Sequence, residues 1–109
     1  MDYELFITER AEELLDNILD YLINILKNIE AARSLLKEID NVYHNIISNP
    51  WMYTYAQIDD LRNREYRKAR ISRYDYFIVY RIDEQSRVIY IMGFFHDLEL
   101  YEKKLESNS

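Results

Sequence analysis

The apolar residues of this chain change their spacing part-way along it. Ala11, Leu14, Leu15, Ile18, Leu22, Ile25, Leu26 and Ile29 recur three or four residues apart, and Leu19 and Ile23 widen that stripe. Ala32, Leu35, Leu36, Ile39, Val42, Tyr43, Ile46 and Ile47 repeat the pattern. From residue 74 the period becomes two. Tyr74, Tyr76, Ile78, Tyr80 and Ile82 then fall on one face, with Phe77, Val79 and Arg81 on the other. A period near 3.6 belongs to helices and a period of two to strands, so helices come first and strands after.

Local signals set the boundaries. Residues 3–8 alternate weakly and read as a strand. Thr8 is a good N-cap, and Glu9, Glu12 and Glu13 suit the positive end of a helix. Asn28 ends the first helix or caps the second. So few residues join the two that an antiparallel hairpin is predicted. Pro50 stops the second helix at Ser48-Asn49, because a residue before proline avoids helical dihedrals. The apolar face of the first helix is wide enough to need cover from the sheet and from either another helix or a partner.

Residues 51–65 read as irregular, with Trp51, Tyr53 and Tyr55 as a lid on the core. Residues 66–72, 74–82 and 88–95 read as strands, the last apolar on both faces and therefore central. Asp83-Glu84-Gln85-Ser86 is the polar turn before it. Gly93 marks a bulge or a close approach. Residues 97–105 predict a short closing helix with Leu98, Tyr101 and Leu105 on one side. The expected fold is α+β, one domain over residues 1–109. It has an N-terminal strand, an antiparallel helical hairpin on a mainly antiparallel sheet of about four strands, and a short C-terminal helix. The other sheet face, or the groove beside the hairpin, is left for function.

Composition removes whole classes of function. With no Cys there is no disulfide scaffold, thiolate metal site or thiol nucleophile, and one Gly excludes glycine-rich phosphate loops. His44 and His96 lie on separate elements without metal-ligand spacing, so neither a metal nor a cofactor is expected. The start Met1-Asp2-Tyr3-Glu4 is acidic where a signal peptide is basic, and no apolar run approaches the ~20 residues of a membrane span. A soluble cytoplasmic chain with no membrane contact is expected.

Charge is unevenly placed. Residues 1–40 hold ten acids and four bases, whereas 41–109 hold ten of each. Arg62, Arg64, Arg67, Lys68, Arg70 and Arg73 cluster with only Glu65 opposing them. Such a cluster suits phosphates or an acidic peptide, and equally the solvated edge of a sheet. Antiparallel pairing would bring Tyr66, Arg67, Lys68 and Arg70 toward Arg81 and His96. Arg and His can stabilise and protonate a cleaving phosphodiester, and the same residues anchor protein partners. Spacing leaves both open.

Several segments in order resemble the RelE/ParE superfamily of toxins from bacterial type II toxin–antitoxin modules. They are Thr8-Glu9-Arg10-Ala11-Glu12-Glu13-Leu14, Asn28-Ile29-Glu30-Ala31-Ala32, Tyr66-Arg67-Lys68, the run from Tyr76 to Asp83, the run from Ile89 to His96, and Tyr101-Glu102-Lys103-Lys104-Leu105. The resemblance covers almost the whole chain. It implies a cognate antitoxin that wraps the toxin, no small-molecule substrate, and one of two targets. RelE-type members cleave mRNA on the ribosome, and ParE-type members inhibit DNA gyrase. RelE-type nucleases commonly carry Arg where this chain has Phe77, and a basic segment where it has Asp97-Leu98-Glu99. A missing cation at a phosphorane costs about 3–4 kcal/mol of transition-state stabilisation. The sequence pI of 4.9 is also poor for a ribosome-binding protein.

The resemblance therefore leans toward a ParE-like, non-enzymatic toxin. Tyr66, Arg67, Lys68, Arg70, Arg73, Arg81, His96 and Tyr101 are the expected contacts to target or antitoxin. The alternative is an mRNA interferase using Arg67, Arg81 and His96, and a third reading is a non-toxic homologue that only binds its antitoxin-like partner.

Overall fold

Thr8 joins the two halves of the expected pattern. In the computed structural model, which describes residues 3–55, 65–71 and 74–96, its hydroxyl accepts from Ala11 N–H (3.2 Å) and donates to the Ile91 carbonyl (2.8 Å). One side chain thus caps a helix and ties it to the sheet. Before it runs β1 (Glu4–Ile7), and after it α1 (Glu9–Asp20). A π-helical turn, Tyr21–Ile25, comes next. Lys27 then takes a left-handed conformation (φ 54°), and Asn28 caps α2 (Ile29–Ser48) by accepting from Ala31 N–H at 3.0 Å. The strands β2 (Arg67–Arg70), β3 (Tyr76–Asp83) and β4 (Val88–His96) complete the order.

The sheet runs β1-β4-β3-β2. β1 is parallel to β4, and the other two pairings are antiparallel. The architecture is the α+β arrangement expected. Its core joins Ala11 and Leu14 of α1, Leu35, Ile39, Val42 and Ile46 of α2, and the buried residues of β3 and β4.

Three differences from the sequence reading have physical causes. The first helix does not run as one α-helix to Asn28: it ends at Asp20 and gives way to the π-helical turn. An extra residue in a turn rotates the rest of the helix by about 100°, so Ile25 and Leu26 emerge more than half exposed rather than extending the core stripe, and Ile29, also more than half exposed, opens α2 instead. Second, β4 is central as expected, but the alternating β3 is interior too. β3 lies between β4 and β2, and Phe77, Ile78, Val79 and Tyr80 are all buried. Third, the aromatic segment divides: Tyr53 packs on the core, whereas Trp51 is 45% exposed. Gly93 meets both expectations for it. The β3–β4 register shifts between Val79, its partner, and Tyr80. A Cβ at Gly93 would collide with the Phe95 ring and sit 3.2 Å from Leu14 Cδ1. The expected helix at 97–105 lies outside the described residues.

Candidate interaction surface

Register decides which basic residues meet. Arg67 lies opposite Tyr80, Lys68 opposite Val79 and Arg70 opposite Phe77. Side chains alternate along a strand, so Arg67 leaves one face and Lys68 the other. The expected cluster is split by the pleat.

Three of these cations are then held by aromatic rings. Arg67 Cζ lies 5.1 Å from the Trp51 ring centre and 4.2 Å from that of Tyr55, and its Nη1 donates to the Tyr53 carbonyl at 2.5 Å. Tyr80 supports the same segment by donating its hydroxyl to the Pro50 carbonyl at 2.8 Å and meeting Tyr53 edge-on. Burial raises the Tyr80 hydroxyl well above its ordinary range, with Arg67 opposing that rise. Lys68 Nζ stands 4.6 Å from the Phe77 ring centre, and Arg81 Cζ 4.8 Å from that of Tyr90. Among the described residues, no carboxylate lies within ion-pairing distance of Arg67, Lys68 or Arg81. Arg70 pairs with Asp75 at 3.2 Å, but both are more than half exposed, so the pair adds little stability.

Arg67 and Arg81 line one cleft of about 320 Å³, shared with Trp51, Tyr55, Glu65 and Asp83. Asp83 titrates below its usual range because the Ser86 side chain and backbone hydrogen-bond it. His96 stands elsewhere. It pairs with Tyr76, whereas Arg81 pairs with Tyr90, and Tyr76 and Arg81 are five residues apart on β3. That separation is about 17 Å along an extended strand. His96 sits edge-on to Tyr76 at 5.2 Å. The arrangement offers guanidinium forks and aromatic rings for recognition, and it places its histidine away from the two arginines.

Tyr66, expected at the surface, is buried in the core. Arg73 and Tyr101 lie outside the described residues. Trp51 and Tyr55, which clamp Arg67, were legible only as aromatics, since a cation–π sandwich depends on tertiary approach.

The sequence profile of the ParE toxin of type II toxin–antitoxin systems, ParDE, matches residues 5–101. The chain belongs to the ParE toxin family. Its fold is similar to a chain of the chromosomal ParDE system from P. aeruginosa, with a TM-score of 0.68 at 18% identity, covering 86% of this chain and 95% of that one. It is also similar to a chain of the toxin–antitoxin complex RelBE2 from Mycobacterium tuberculosis, with a TM-score of 0.60 at 15% identity, covering 88% and 99%. No curated protein sequence matches the chain. In this ParE-family toxin the Phe77 ring is buried against Phe95. Among the described residues, no helix is long and apolar enough to cross a membrane.

Proposed function

We propose that this toxin acts in the cytoplasm by binding and inhibiting a protein target, DNA gyrase, and that a cognate antitoxin neutralises it. The observation carrying this reading is the dispersal of the cations. Arg67, Lys68 and Arg81 each stack on an aromatic ring, and Arg81 and His96 stand about 17 Å apart along the sheet. Phosphodiester cleavage without a metal needs cations and a proton donor around one phosphate. Protein recognition needs Arg and aromatic anchors spread over a face. The net charge of −6 also disfavours a ribosomal RNA surface.

The antitoxin's place is the hairpin tip. Tyr21, Ile25, Leu26, Ile29 and Leu36 are exposed on the hairpin, and clustered exposed apolar side chains suit a protein partner. The test is pulse incorporation of labelled thymidine and labelled amino acid within minutes of inducing this chain alone. DNA synthesis falls first if the reading holds, and purified chain then blocks gyrase supercoiling. Translation collapsing first would replace the reading with mRNA cleavage, and unimpaired growth would replace it with a non-toxic binding module.

A further inference from the structure

One flank of α2 carries apolar side chains that the described residues leave uncovered. Ile29, Leu36, Asp40 and Ile47 follow one another at intervals of seven, four and seven residues, so they form a single stripe along the helix. All four are exposed. At 1.5 Å per residue the stripe is about 27 Å long. The π-helical turn before α2 buries none of its residues, and Ile25 and Leu26 lie exposed within four residues of the start of the stripe.

The border of this stripe is acidic. Glu12 of α1 and Asp40 of α2 both bear electrostatically on the Tyr43 hydroxyl, which puts the two carboxylates on the same side of the hairpin. Asp16 follows Glu12 by one helical turn. Among the described residues, no cation stands within ion-pairing distance of Glu12, Asp16 or Asp40. The bases of the hairpin are fewer and lie elsewhere. Residues 9–48 hold eight acids and four bases. Arg10 and Arg33 pair with Glu13 and Glu30 of their own helices. Lys37 follows Leu36 directly, so it leaves α2 about 100° round the helix from it. Lys27 belongs to the loop between the π-helical turn and α2.

We propose that this flank of the hairpin docks a cationic amphipathic helix of a protein partner, its apolar side chains along Ile29, Leu36 and Ile47 and its lysines or arginines against Glu12, Asp16 and Asp40. A helix suits the stripe because anchors at helical spacing over about 27 Å match about five turns of a second helix. A basic helix suits it because carboxylates with no ion-pair partner among the described residues border it, on a chain of net charge −6. Those carboxylates repel nucleic acid and anionic lipid alike. The proposal rests on the reading that a protein covers the hairpin, and it names the chemistry of the segment that does so.

The test is fluorescence anisotropy of two labelled helical peptides, each of about five turns, titrated with the full chain. Both carry leucine at helical spacing. One has lysine at its polar positions and the other glutamate. The lysine peptide is expected to bind saturably, and at least about tenfold more tightly than its twin. Leu36→Ser, and Glu12→Gln combined with Asp40→Asn, are each expected to weaken it about tenfold. Glu4→Gln combined with Glu84→Gln removes as much charge at the end of the sheet that holds the β3–β4 turn. That variant is expected to change the affinity less than about twofold. Circular dichroism checks that each variant folds. Equal weakening by the two charge pairs would reduce the binding to net charge and overturn the proposal, as would a lysine peptide indifferent to Leu36→Ser. Preference for the glutamate peptide would overturn it and keep the hairpin as an interface. Binding of neither peptide would overturn it together with the hairpin reading. A chain that leaves gyrase untouched would sink that target without touching these outcomes.

Discussion

Two buried tyrosine hydroxyls make opposite predictions. Tyr80 donates to the buried Pro50 carbonyl, so Tyr80→Phe leaves that oxygen unpaired and should cost about 1–2 kcal/mol in urea unfolding. The Tyr43 hydroxyl is buried with no hydrogen-bond partner among the described residues, so Tyr43→Phe should fall within about 0.5 kcal/mol of the parent or stabilise it. Both hydroxyls titrate above the ordinary value of 10.0. Burial is the main cause in each, joined at Tyr43 by Asp40 and Glu12. Below that value both folded and unfolded states keep these protons. Above it the unfolded chain releases protons the folded chain retains, so stability falls as pH rises past 10.0. The double variant should flatten this fall above pH 10.0. Gly93 is a matter of space: its φ is not positive, yet a Cβ there has no room beside Phe95 and Leu14. Gly93→Ala should cost about 1–3 kcal/mol, read as a lowered Tm. The sequence marked Gly93 as special because a lone glycine in an apolar strand needs a reason. It carried no sign of which ring would crowd the position.

At the scale of elements, the clamp and the hairpin tip make separate predictions. Arg67 ties residues 51–55 to β2 through two ring stackings and one hydrogen bond, with a backbone bond from Lys68 N–H to the Thr54 carbonyl at 3.1 Å beside them. Arg67→Ala should shift Trp51 fluorescence to the red and cost about 1–2 kcal/mol. An Arg67 serving the target alone would leave Trp51 emission unchanged. The tip predicts the reverse. Ile25 and Leu26 are exposed, so Ile25→Asp with Leu26→Asp should leave stability within about 1 kcal/mol. Antitoxin affinity should fall by at least about tenfold in calorimetric titration. The helix caps were legible because Thr8 and Asn28 act on backbone three residues away. The π-helical turn was not, since the apolar spacing through residues 21–25 suits an ordinary helix as well.

For the whole molecule, the prediction is the order of collapse after induction, DNA synthesis before translation. Arg81→Gln should weaken that arrest without loss of fold, since Arg81 belongs to no ion pair among the described residues. Period, caps and turn residues determined the elements and their order. These are local properties, and each depends on neighbours within about a helical turn or a strand pair. The same local patterns, in sequence order, also carried the family resemblance. Tertiary structure alone decided how the chemistry is distributed. Strand register sent Arg67 to one face and Lys68 to the other, placed Arg81 between Tyr90 and the cleft, and set His96 at the far end of the sheet. One step of register moves every side chain to the opposite face. Register is settled by packing between residues far apart in the chain, so the candidate surface became readable only once the strands were paired.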